Sequence, residues 1–183
     1  MAATIRSIAA RAALGAALAA AFPCFATTSE VSASGFVSTF REEVEATPAE
    51  AWTAITQVGR WWDSGHTYSG DASNLSLDAV AGGCWCERWD GNSVEHMRVV
   101  QALRAKTLRL EGGLGPLQAR AVNGVLTFGL AANGAKTTLT VTYRVRGSPD
   151  AGLDKVAEAV DGVLAEQVKR LAALLRRADN APR

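Results

Sequence analysis

From Ser34 to Ala46 the apolar residues Phe36, Phe40 and Val44 keep one parity, which predicts a strand with one face toward a core. Thr47-Pro48-Ala49-Glu50 then supplies a helix start: a threonine N-cap, proline at the first helical position, and glutamate three residues past the cap. Ala51, Trp52, Ile55 and Val58 form the buried stripe, Gly59 ends the helix, and Arg60-Trp61-Trp62-Asp63 begins a second helical turn. Beyond the polar loop SGHTYSGDASN, strands are expected over 75–80, 84–89, 93–103, 107–111, 119–130 and 136–146. In the last of these, Leu139, Val141, Tyr143 and Val145 alternate with Thr138, Thr140, Thr142 and Arg144, so one face is buried and the other wet. Helical spacing returns from Pro149 to Arg177. Leu153, Val156, Val160, Val163, Leu164, Leu171, Leu174 and Leu175 share a stripe, with most charged residues off it. About 28 residues at 1.5 Å each give a helix of about 40 Å, long enough to cross a sheet.

The order of strand, two short helices, a run of strands and a long helix is that of an α+β fold. A one-sided antiparallel sheet is covered by the helix. The segment before it has a different character. Residues 1–26 carry Arg6 and Arg11, no acid, and an Ala/Leu-rich run from Ala12 to Phe22, with Ala26 ahead of the polar TTSE. That is the layout of a secretory signal peptide, and the run is shorter than the roughly 20 apolar residues a membrane span needs. The expected division is therefore a signal peptide over 1–26, a linker over 27–32, one domain over 33–178 and a tail over 179–183. The mature protein is expected to be periplasmic or secreted, with no stable membrane span.

Loss of Arg6 and Arg11 takes the formal charge from +1 to −1. A nearly neutral chain without a basic run offers no footprint for nucleic acid. The remaining cysteines, Cys84 and Cys86, stand two apart on an expected strand, which separates their Cα atoms by about 6.5 Å. A bridge needs Cβ atoms about 3.8 Å apart, so a disulfide would require a distorted strand; free, largely buried thiols are expected.

The stretch GGCWCERWDGNSVEHMR gathers most of the candidate chemistry on one hairpin. A three-residue loop over Asp90 to Asn92 would set Cys86 against His96 and Cys84 against Arg98. A two-residue Asp90-Gly91 turn would set Cys86 against Glu95 and Trp85 against His96. One residue of slip exchanges the two faces. A Cys-Cys-His metal site lacks a fourth ligand and would meet the repulsion of Arg98, so no metal is expected. Glu87, Glu95 and His96 lie near the turn, and Glu87 or His96 is the candidate general acid/base, with Glu42 another carboxylate on an apolar parity. Burial would raise such a carboxyl toward useful acid/base range. No phosphate-cradling loop, dinucleotide fingerprint or nucleophile elbow is present, and no cofactor is expected.

ATPAEAWTAIT, the tryptophan pair after it, AGG before the CWCER strand and the closing EQVKRLAALLRR carry a family likeness. With the element order, they resemble the START-like or SRPBCC superfamily, in particular its polyketide cyclase/dehydrase and heat-shock-chaperone ATPase-activator homologues. The likeness covers residues 33 to 177. It implies a helix-grip fold, a curved antiparallel sheet of six to seven strands wrapped around the C-terminal helix, with a cavity between them for an apolar or amphipathic small molecule. A hydrophobic or aromatic ligand would then meet Trp62, His66, Tyr68, Trp85, Trp89, Met97, Phe128 and Tyr143. Glu87 and His96 would orient it or, in an enzyme of cyclase, dehydratase or hydrolase type, act on it. The expected assembly is a monomer or weak dimer.

Overall fold

The alternation over 136–146 makes the middle of a sheet. Leu139, Val141, Tyr143 and Val145 of this strand are all buried, and both of its edges are paired. The computed structural model describes residues 25–179, which form strands β1 (Phe25–Ser32), β2 (Gly35–Val44), β3 (Leu75–Leu77), β4 (Cys84–Trp89), β5 (Asn92–Leu103), β6 (Thr107–Glu111), β7 (Asn123–Asn133) and β8 (Lys136–Arg146). They make one curved antiparallel sheet in the order β1-β2-β8-β7-β6-β5-β4-β3. The sequence-based count of six to seven strands is one too low. The extra strand is β1, which occupies the expected linker 27–32 and pairs with β2 from Phe25 opposite Arg41 to Ser32 opposite Gly35. Apart from Phe25 and Ala26, the expected signal segment lies outside the described residues.

Helix α1 (Pro48–Thr56) starts as its sequence dictates. The Thr47 hydroxyl accepts the Glu50 N–H at 3.3 Å, while the Thr47 N–H donates to the Glu50 carboxylate at 2.8 Å. Ala51, Trp52, Ala54 and Ile55 turn inward. A short 3₁₀ turn, Val58–Arg60, follows. Its Gly59 lies against the Ala72 carbonyl, where an added Cβ would come within 2.7 Å.

The C-terminal helix is shorter than its periodicity predicts. Pro149–Ala151 and Leu153–Lys155 are separate 3₁₀ turns, divided by Gly152 at φ +59°, and α2 itself is Ala157–Asp179. A left-handed residue cannot continue a right-handed helix, yet Leu153 and Val156 keep the phase of the stripe beyond it. α2 packs on β1, β2 and α1. Its two halves differ: Leu164, Val168, Leu171, Ala172 and Leu175 are buried, while Val160 and Val163 remain partly open. The open half faces the site.

Candidate functional site

Two left-handed residues, Asp90 at φ 43° and Gly91 at φ 80°, close the β4–β5 hairpin, the conformation that a two-residue turn needs. The turn fixes Trp89 opposite Asn92, Glu87 opposite Val94 and Cys86 opposite Glu95. The register then shifts, so that Trp85 pairs with Met97 and Cys84 with Arg98. Each of the two sequence registers thus holds on one side of a bulge. His96 is the inserted residue, and the bulge lets His96 and Met97 both turn inward, at 6% and 1% exposure.

The same distortion overturns the expectation of free thiols. Cys84 and Cys86 are joined in a disulfide, with Cα atoms 5.3 Å apart. That separation is close to the usual value for a bridge and shorter than the about 6.5 Å of a flat strand. The bulge opposite Trp85 marks where β4 departs from flatness.

Glu87 is fully buried. Its Oε1 accepts the Ser69 N–H at 2.5 Å, and its Oε2 accepts the Tyr68 N–H at 3.1 Å and lies 2.9 Å from His96 Nε2. A carboxylate only accepts, so His96 meets it with the Nε2 proton. Burial pushes the carboxyl up, but hydrogen bonds from Ser69, Tyr68 and His96 together outweigh it and hold the group below the ordinary carboxylate range. This corrects the expected raised carboxyl: Glu87 is an anion whose oxygens are occupied. Glu42 is half-buried on β2 opposite Leu139, away from these groups.

The loop over 61–69 is fastened to both neighbours. Gln167 Oε1 of α2 accepts the Asp63 N–H at 2.8 Å, and Arg170 reaches Asp63 at 3.0 Å and the Trp61 carbonyl at 2.9 Å. Trp62 donates its indole N–H to the His66 carbonyl at 2.9 Å, and its ring meets Trp85 edge-on at 4.9 Å. Glu87 secures the far end of the loop, where the Tyr68 ring lies 5.9 Å from His96.

A second loop, 112–120, forms a lip. The buried Tyr143 hydroxyl donates to the Gly112 carbonyl at 3.1 Å and accepts the Leu114 N–H at 3.0 Å. Burial pushes this phenol up to about 12 against the opposing pull of the Leu114 N–H, which keeps the donated proton in place. Gly124 leaves room for the contact, since a Cβ there would come within 2.5 Å of the hydroxyl.

Between loop, lip and the open half of α2 is a cavity of about 440 Å³, a volume typical of small-molecule sites. Trp62, His66, Thr67, Tyr68 and His96 line one side, Leu114, Pro116, Leu117 and Arg120 another, and Val156, Ala159, Val160, Val163 and Leu164 a third. Of the residues expected at the site, Trp62, His66, Tyr68 and His96 meet here. Glu87 stands behind them as the partner of His96. Trp85, Met97, Phe128 and Tyr143 are buried outside the lining: Trp85 backs Trp62 and His96, Phe128 packs on Trp61 at 6.3 Å, and Tyr143 holds the lip. Trp89 is half-buried beside the hairpin turn, also outside the lining.

Sequence reasoning assigned no site role to Leu114, Leu117, Arg120 or Gln167. Gln167 had a signal, being a polar residue between Leu164 and Leu171 on the apolar stripe. Arg120 had none, because its sequence reads as the start of the strand expected over 119–130, whereas the chain forms a 3₁₀ turn over Gly115–Arg120 and the strand begins at Asn123. Among the described residues, no three His, Cys, Asp or Glu side chains come together to hold a metal. Nor is any described helix long and apolar enough to cross a membrane.

No protein-family model matches the chain, and no curated protein matches it. Solved structures do. Protein MLL2253 from Mesorhizobium loti is similar at a TM-score of 0.57 and 18% identity, over 77% of this chain and 97% of that one. CalU16 from Micromonospora echinospora is similar at 0.56 and 15%, over 87% of each chain. The Aha1 dimer from Colwellia psychrerythraea is similar at 0.56 and 18%, over 75% and 94%. The chain shares with these structures the helix-grip fold, a curved antiparallel sheet against a long C-terminal helix.

Proposed function

We propose that this is an exported small-molecule-binding protein that holds a hydrophobic or aromatic ligand between its sheet and its C-terminal helix. The carrying observation is the cavity, walled mainly by apolar side chains of the lip and α2, with a few polar groups from the 66–69 loop. A ligand covering each ~100 Å² of apolar wall would contribute about 2.5 kcal/mol. Export is supported by the composition of residues 1–26, and a disulfide suits an oxidising compartment. Native mass spectrometry of protein purified from its own cells is expected to show a retained apolar molecule, or binding from a hydrophobic library. An empty cavity that takes up nothing from the library overturns the proposal.

A second reading, an enzyme of cyclase, dehydratase or hydrolase type, is favoured by one observation. His96 lines the cavity while its Nε2 is held by a buried carboxylate, the arrangement by which a carboxylate orients a catalytic imidazole. In that reading His96 exchanges the proton with the ligand and Glu87 is a positioning residue. His96→Ala should then abolish turnover of a bound ligand while leaving its binding in place; turnover that survives His96→Ala sinks this reading.

A further inference from the structure

We propose that the occupant of the cavity is an amphipathic anion, an apolar body with a single carboxylate head, and that Arg120 holds the head at the rim. The inference rests on the small-molecule reading and specifies its ligand. Arg120 is the one permanently charged side chain among the lining residues, and none of them is Asp or Glu. The Glu87 carboxylate does not balance it, because its oxygens are taken by Tyr68, Ser69 and His96 outside the lining. A cationic ligand would therefore meet a like charge without an acid to offset it.

The guanidinium is also placed to act. One of its terminal nitrogens donates to the Ala151 carbonyl at 2.7 Å, which ties the lip to the turn before α2. This leaves donors on the rest of the fork, whose plane suits a carboxylate. Arg120 itself is exposed, whereas Leu117 beneath it is buried and Val160 and Val163 opposite are partly covered. The charge thus sits at the solvent edge of an apolar chamber. A fatty or arylalkanoic acid has the same division between head and body.

Displacement of the neutral dye N-phenyl-1-naphthylamine by dodecanoate and by 1-dodecanol separates head from body. Wild-type protein at neutral pH is expected to release the dye at about fivefold lower dodecanoate than dodecanol, a modest factor because the head lies at the rim. Arg120→Gln should bring the dodecanoate and dodecanol midpoints together, whatever loss of the Ala151 tie does to both, and Arg120→Lys should retain part of the preference. Equal midpoints in the wild type, or a preference that survives Arg120→Gln, overturn the anion assignment while leaving the cavity reading intact. If neither the dye nor either competitor binds, the cavity reading fails and this inference with it.

Discussion

Glu87 carries a charge in a place without solvent, and the donors around it explain why. Two backbone N–H groups and an imidazole N–H reach its oxygens, so the anion is satisfied and the 66–69 loop is held by it. Glu87→Gln replaces one accepting oxygen by a donor that faces other donors. The expected cost is about 2–3 kcal/mol, the scale of lost hydrogen bonds to a buried charge. It should appear as a lower urea midpoint with faster hydrogen exchange at Tyr68 and Ser69; unchanged exchange at both would show that Glu87 does not hold the loop. The same group sets a pH dependence. Its folded pKa lies below the ordinary 4.5, so its stabilisation is fully present above that value and is lost as pH falls through the folded one. Wild-type stability should therefore drop more steeply on acidification below about pH 4.5 than that of Glu87→Gln; parallel curves would contradict the assignment. The sequence made Glu87 visible as an acid on the Trp85 face of a strand. It did not reveal the sign of its shift, because the donors come from a loop nearly twenty positions away, and loop backbone direction has no periodic signature.

At the scale of the element, the β4–β5 hairpin shows which parts of a strand pairing are local. Asp90-Gly91 is a turn signal carried by two residues, and the pairing near it follows. The bulge is not readable in the same way, since alternation on either side of an inserted residue looks regular over a few positions. Its one trace is the adjacency of His96 and Met97, both inward in the fold. The long helix misled for a related reason: Leu153 and Val156 stay in phase with the stripe of α2 although they belong to a separate 3₁₀ turn and its cap, so the stripe concealed the break. The disulfide closes a ring over a single intervening residue, which limits its entropic effect on the unfolded chain. A Cys84→Ser/Cys86→Ser double variant is thus expected to fold, losing about 1–2 kcal/mol. Amide exchange should rise over 94–98 and not in β8. Loss of folding, or equal loosening of β8, would mean that the bridge supports the sheet as a whole rather than the bulge.

At the scale of the whole molecule, one helix serves two purposes along its length. The end of α2 near Leu171 is sealed against sheet and α1, whereas the end near Val160 and Val163 keeps apolar surface open to the cavity. Periodicity marks both halves alike, because a ligand and a protein core make the same demand for apolar residues; only the placement of loop and lip tells them apart. This division predicts that stability and binding separate along the helix. Leu171→Ala removes buried methyl groups from a closed environment and should cost about 2–4 kcal/mol, with apolar-dye affinity retained under conditions where the variant remains folded. Val163→Trp instead places its ring in the existing space. It should change stability by less than about 1 kcal/mol and weaken dye binding about tenfold, as a ligand excluded from a filled pocket must. Urea unfolding and dye titration on the two variants supply both readouts. If Val163→Trp binds dye as the wild type does, the ligand site lies elsewhere on the fold, and the open face of α2 must have another explanation.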